Sequence, residues 1–149
     1  MNRKRVLPPT YLLIAIISMA LLHFLAPILE LIAYPLTLFG MVPLAAGIAL
    51  NLMADSAFKK AQTTVKPFEI STALITTGVF QICRHPMYLG MALILFGLAI
   101  VMGSLTPLIT IAIFVILMEL VFVRAEEKML KQQFGPVWDN YKNNVRKWF

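Results

Sequence analysis

The stretch PMYLGMALILFGLAIVM, residues 86–102, is followed after Gly103-Ser104 by LTPLITIAIFVILMELVFV, residues 105–123. The first run carries no charge and the second only Glu119. A helix needs about 20 predominantly apolar residues to cross the hydrocarbon core of a bilayer. Two such runs around a Gly-Ser break, with Pro107 just beyond it, read as two membrane spans joined by a tight turn. Working outward, two more runs precede them. One covers Tyr11 to Ile32, broken only by His23, Pro27 and Glu30, and the other covers Pro35 to Ala54, uncharged until Asp55. Together these two exceed 40 residues, too many for one bent span, and Tyr34-Pro35 supplies the turn between them.

Composition agrees. Of 149 residues, 60% are hydrophobic and 13% charged, against roughly 25% charged in a typical soluble domain. A soluble chain of this length could not hide that much apolar surface, and the length suits one domain. The expected fold is all-α and integral to the membrane, with about four transmembrane helices. Arg3-Lys4-Arg5 ahead of an apolar run also resembles a signal peptide. Against that, the apolar stretch continues to residue 54, and Glu30 and Pro35 do not resemble a cleavage site.

The net charge of +6 would suggest nucleic acid in a soluble protein. Here the bilayer explains it, because basic residues collect on the cytoplasmic side of membrane proteins. Arg3, Lys4 and Arg5 precede the first span. Lys59, Lys60, Lys66 and Arg84 lie between the second and third, and Arg124 to Lys147 follow the fourth. With four spans, all 13 basic residues fall on one face. Both termini are therefore expected in the cytoplasm, with the protein in a bacterial or archaeal inner membrane and no nucleic-acid partner.

Two cytoplasmic pieces remain. Residues 55–85 are too apolar around Ala73-Ile75 and Val79-Ile82 for a free linker and are expected to lie against the membrane. The tail, residues 124–149, breaks at Gly135-Pro136. Beyond the break, Val137, Trp138, Tyr141, Val145, Trp148 and Phe149 share one face of an amphipathic helix. Such a helix suits the interface or the cytoplasmic ends of the spans.

Candidate chemistry gathers near these pieces. In Arg84-His85-Pro86-Met87-Tyr88-Leu89-Gly90, Pro86 suits the first turn of the third span. His85 then sits at the cap, where free N–H groups and the helix dipole favour an anion. The plain alternative is a basic flank with an interfacial aromatic. Glu119 lies about one turn inside the fourth apolar run, and a carboxylate there needs a partner; Arg124 and Arg84 are the nearest candidates. Glu119 and Glu126 are seven apart and share a face if that helix continues past Arg124. Glu127 and Lys131 read as a solvated i,i+4 pair. His23 and Glu30, also seven apart, read as a packing pair on the first span. Cys83 reads as packing, and one cysteine makes no zinc site; no metal is expected.

Taken in order, several motifs resemble the isoprenylcysteine carboxyl methyltransferase family, membrane-embedded enzymes that use S-adenosylmethionine. They are Leu74-Ile75-Thr76-Thr77-Gly78-Val79-Phe80, then Arg84 to Gly90, then Glu126-Glu127-Lys128-Met129-Leu130, Phe134-Gly135, Trp138, Tyr141 and Val145-Arg146. Carried over by position, the resemblance implies cofactor contacts at His85, Pro86, Met87, Tyr88 and Glu126. It adds Thr72, Ala73, Leu74 and Ile75, partly through backbone, and Phe80. Phe80 and Trp138 stand where tyrosine is frequent in the family. Phe122 stands where the family has a substrate-side arginine, and Arg124 is nearby on another helical face.

The activity this implies is methyl transfer from S-adenosylmethionine to a lipophilic or lipidated acceptor, with Arg84, Arg124 and Glu119 as catalytic candidates. An ionised carboxylate acceptor, pKa about 3.5, needs no general base. A thiol or amine would need one, and Glu119 or His85 can supply it. Competing readings are a nicotinamide-dependent reductase of a membrane lipid and a membrane scaffold without activity.

Overall fold

The structure, a computed structural model, describes residues 6–26 and 29–148. Arg3, Lys4, Arg5, Pro27 and Phe149, used in the reading above, lie outside the described residues. Among the described residues there are helices and no named strand: α1 Pro8–Leu25, a 3-10 turn Leu36–Gly40, α2 Met41–Lys60, a second 3-10 turn Gly78–Gln81, α3 Pro86–Met102, α4 Thr106–Met118, α5 Arg124–Phe134 and α6 Pro136–Asn144. A π-helical stretch, Glu119–Val123, joins α4 to α5 without a break. Among the described residues, three helical stretches are long and apolar enough to cross a membrane: α1, the 3-10 turn with α2, and α4 with its continuation. The fourth apolar helix, α3, is 17 residues long.

Prolines set the starts. Pro8, Pro86, Pro107 and Pro136 all stand in first turns, where a missing N–H breaks no helical bond. Gly103, at φ 73°, closes α3 in the left-handed conformation that favours glycine. Its carbonyl accepts the N–H groups of Leu31 and Ile32, so the α3–α4 turn holds the α1–α2 connection.

The α2–α3 seam is built on glycine. Gly40 and Gly47 face Gly97 and Gly90, and both pairs are spaced by seven residues. A Cβ on Gly47 would stand 2.5 Å from the Gly90 carbonyl oxygen, and one on Gly97 2.6 Å from that of Gly40. In a bilayer no hydrophobic force pulls helices together, so close approach of small residues supplies the attraction. On the other side, α1 lies antiparallel to α4. Tyr11 packs edge-on to Phe122 at 5.5 Å, and at the opposite end the Thr106 hydroxyl donates to the Ala26 carbonyl at 3.0 Å. Large apolar side chains point outward, Leu25 80% and Leu52 65% exposed among them. That surface suits hydrocarbon, not water.

Away from the site, the structure adds to or corrects the sequence reading at His23 and Glu30, in residues 78–81 and in α6. His23 and Glu30 are not a pair on one helix, because α1 ends at Leu25. Both instead meet Ser104: His23 Nδ1 lies 2.8 Å from its hydroxyl, and Glu30 bridges to it through backbone. In residues 78–81 the two apolar side chains turn inward. Val79 and Phe80 are buried against Ala54, Trp138 and Tyr141, which uses up their apolar surface within the protein. Finally, α6 stops at Asn144, so Trp148 is not on its face, and Val137 is 63% exposed while Trp138 and Tyr141 are buried.

Candidate functional site

The site lies at the basic end, where α3 begins. His85 caps the helix and Pro86 opens it. The preceding residue is pinned from the far end of the chain: the Arg84 N–H donates to the Arg146 carbonyl at 3.0 Å. The continuation of α4 into α5 stands opposite. Its π-helical stretch inserts one residue into the turn and so rotates everything beyond by about 100°. Glu119 and Glu126 therefore do not face the same way, as an unbroken α-helix would require. Glu119 accepts Lys147 Nζ at 2.8 Å and Trp148 Nε1 at 3.3 Å, with Arg124 Nε at 3.7 Å. Glu127, eight residues on, is the carboxylate that shares Lys147, at 3.6 Å.

Glu126 turns the other way and accepts the Tyr88 hydroxyl at 2.5 Å. Its second oxygen is 3.5 Å from His85 Nδ1, while His85 Nε2 is 3.4 Å from Glu127. The histidine thus lies between two carboxylates. Glu127 is not solvated beside Lys131. Its side chain is 13% exposed and paired with Arg84 Nη1 at 3.1 Å, while Lys131 pairs with Asp139 at 3.5 Å. The Arg84 guanidinium lies over the Trp138 ring at 5.6 Å. Among the described residues its buried Nε and Nη1 have no hydrogen-bond acceptor, so Nη1 meets Glu127 as an ion pair, and the Trp138 ring adds a cation–π contact of the kind arginine favours.

The charges follow from this geometry. Burial alone would push the His85 pKa down, but hydrogen bonds and charge from Glu126 and Glu127 outweigh it and hold the ring above its ordinary 6.5. Burial pushes the Glu127 carboxyl up, and its bond to His85 with the Arg84 and Lys147 charges brings it below the usual range. Cys83 is buried, which raises its thiol against the opposing pull of the His85 N–H and Arg84. Its side chain is part of the buried core.

One cavity opens here, about 860 Å3 with its mouth included. Ala73, Leu74, Ile75 and Phe80 line it from the α2–α3 connection, and Arg84, His85, Pro86, Met87 and Tyr88 from the start of α3. Glu126 lines it from α5. Thr72 stands just outside. Its N–H bonds the Thr63 hydroxyl at 2.9 Å and its own hydroxyl donates to the Gln62 carbonyl at 3.4 Å, tying the two arms of the loop. Glu119 does not line the cavity, and neither does Arg124, whose side chain is 66% exposed. Sequence reasoning missed Leu130 and Gln133, which extend the cavity wall; their spacing of four and seven from Glu126 was the available signal. It also missed Phe58 and the roof, residues 64–69, for which no spacing signal exists. Gln133 bonds the Ser71 carbonyl and ties roof to wall. Tyr141, also in the wall, donates its hydroxyl to the Phe80 carbonyl at 2.6 Å.

A half-buried carboxylate at an aromatic, largely apolar cavity can hold a small organic cation. The chain is similar to the nickel-cobalt-cadmium resistance protein NccN of Alcaligenes xylosoxydans xylosoxydans, 33% identical over 79 residues. The match takes in 53% of this chain and 37% of that protein, so it spans little more than a third of the relative's length. No solved structure matches the chain. The family model described as phospholipid methyltransferase matches residues 36–137, more than half of the chain and most of the residues around the cavity. The chain belongs to that family of membrane methyltransferases, the group to which the isoprenylcysteine enzymes named above also belong.

Proposed function

We propose that the cavity binds S-adenosylmethionine and that the protein transfers its methyl group to a lipophilic acceptor that arrives from the bilayer. The observation that carries this is the Glu126 carboxylate. It is held by Tyr88 and His85 at the wall of a cavity lined mainly by apolar and aromatic side chains, the usual make-up of a small-molecule site. When bound, S-adenosylmethionine supplies an electrophilic methyl on a sulfonium, whose positive charge is lost as the methyl leaves. The rest is the work of this chain. Glu126 would hold the α-ammonium through a charge-assisted hydrogen bond. Phe58, Phe80 and Tyr88 offer ring faces to the adjacent cation. Leu74, Ile75 and Met87 exclude water, so that donor and acceptor are aligned and desolvated.

A carboxylate acceptor would need no base. A neutral acceptor would need one, and His85, clamped between the Glu126 and Glu127 carboxylates, is not poised to supply it. Glu119 and Arg124 are assigned to anchoring the tail rather than to the reaction. A water-soluble cofactor and a lipid acceptor enter from different phases, which suits a site at the membrane boundary. By the positive-inside rule the basic end, with both termini, faces the cytoplasm.

Titration of the purified protein with S-adenosylmethionine and separately with NADPH tests the function. Saturable binding of the first alone is expected, and binding of NADPH alone would favour the reductase. For orientation, an introduced Lys142→Cys should stay unlabelled by a membrane-impermeant maleimide applied outside intact cells. Labelling there would invert the topology.

A further inference from the structure

We infer that Glu127 is a positioning residue of this cavity, held in register by the C-terminal strap through Lys147. The inference rests on the cavity being the cofactor site. Glu127 does not line the cavity itself, yet it touches two residues that do, Arg84 at 3.1 Å and His85 at 3.4 Å. His85 then meets Glu126, which holds the Tyr88 hydroxyl. Both nitrogens of an imidazole donate only when the ring is protonated. A carboxylate on each side favours that form. That fixes the ring plane, and the ring fixes one oxygen of Glu126 while Tyr88 fixes the other. The remaining lone pairs of Glu126 are left for a cation in the cavity.

The strap explains why Glu127 stays in place. Beyond α6 the chain turns extended at Val145. The Arg146 carbonyl then accepts the Arg84 N–H at 3.0 Å, the Lys147 ammonium stands between Glu119 at 2.8 Å and Glu127 at 3.6 Å, and Trp148 bonds Glu119 at 3.3 Å. Glu119 and Glu127 would repel one another across this gap, and Lys147 removes the repulsion. Tyr88 and Arg84 from the α3 end, Glu126 and Glu127 from α5, and Lys147 through Glu127 are the charged and titratable groups gathered about His85, with the Cys83 thiol accepting its backbone N–H.

The test uses the full chain in detergent micelles, with S-adenosylhomocysteine as the binding probe and nitrogen-detected NMR of His85 as a readout independent of binding. The chain has two histidines, and a His23→Gln background makes the assignment unambiguous. In Glu127→Gln the His85 titration midpoint is expected to fall and probe affinity to drop about ten-fold, one lost charge-assisted contact. That variant leaves the Arg84 charge buried, so Lys147→Ala serves beside it, since the Arg84–Glu127 pair survives there. Lys147→Ala should weaken the probe about three-fold, and Lys147→Arg should restore it. Asp139→Asn, on the exposed pair with Lys131, should change neither readout. A strap that only anchors the tail would lower the thermal midpoint and leave both readouts at wild-type values. That result in Glu127→Gln, or in Lys147→Ala should Glu127→Gln fail to fold, overturns the inference. If the wild type binds neither S-adenosylmethionine nor the probe, the cofactor reading falls instead, and the His85 midpoint still decides whether Glu127 positions the ring.

Discussion

The α2–α3 seam and the basic end of the bundle solve opposite problems. Along the seam, glycines at seven-residue spacing bring two backbones together with no charge between them. At the basic end, Arg84, His85, Glu126, Glu127 and Lys147 crowd around the start of one helix, and Trp138 and Tyr141 shield them. The seam lies where water is absent and an unpaired charge is costly. Its strength is therefore steric, and it tolerates no added atoms. The basic end lies where water begins. There, specificity requires several charges held at once, and only apolar cover keeps water from competing for them. Damage at the seam should cost stability without touching ligand affinity, whereas damage at the basic end should cost both.

Two substitutions can break that division. Trp138→Ala removes a fully buried ring and the cover of Arg84, and should cost about 3–5 kcal/mol of stability together with a loss of S-adenosylmethionine affinity. Gly97→Leu forces side-chain atoms against the Gly40 carbonyl and the Leu44 backbone, and should cost about 1–3 kcal/mol. Gly97 lies three helical turns, about 16 Å, from Pro86, so affinity should stay within two-fold in whatever fraction folds. Thermal unfolding in detergent and calorimetry read the two effects separately. Equal losses of affinity would mean that seam and site are one unit.

A smaller effect sharpens the comparison through pH. The folded His85 pKa lies above its ordinary 6.5. A raised histidine contributes stability that is fully present below the unfolded pKa and is lost as pH rises through the folded value. The wild type should therefore lose stability as pH climbs past 6.5 through the folded midpoint, and His85→Gln should flatten that part of the profile. A slope of opposite sign, or one that survives in His85→Gln, would remove the two-carboxylate clamp from the account.

The two regions also differ in how far they could be read from sequence. The apolar run 86–102 and helix α3 coincide, because charge and proline bound the run on one side and Gly103 on the other. The second span runs on from Ala54 to Lys60, since no breaker follows Ala54. The cavity wall at residues 73–75, at Phe80, at the start of α3 and at Glu126 was legible through the family motifs. Which way the carboxylates face was not. Nothing in Glu119-Leu120-Val121-Phe122-Val123 announces a π-helical stretch, for all five residues fit an ordinary helix. That one inserted residue exchanges the surroundings of Glu126 and Glu127. The Glu127–Lys131 spacing suggested a surface pair, but Lys131 finds Asp139 and Glu127 finds Arg84. The strap could not be foreseen either, because Lys147 meets Glu119 across 28 residues of chain.

Calorimetry of Glu126→Gln with S-adenosylmethionine and S-adenosylhomocysteine tests the central claim most directly. Glutamine keeps the shape and removes the charge, so a lost charge-assisted bond of about 1.5–3 kcal/mol should appear as a ten- to hundred-fold weaker affinity. Both ligands carry the α-ammonium, so an equal loss for both is expected if Glu126 holds that group. Wild-type affinity for both ligands in Glu126→Gln would contradict the placement of the cofactor at this carboxylate.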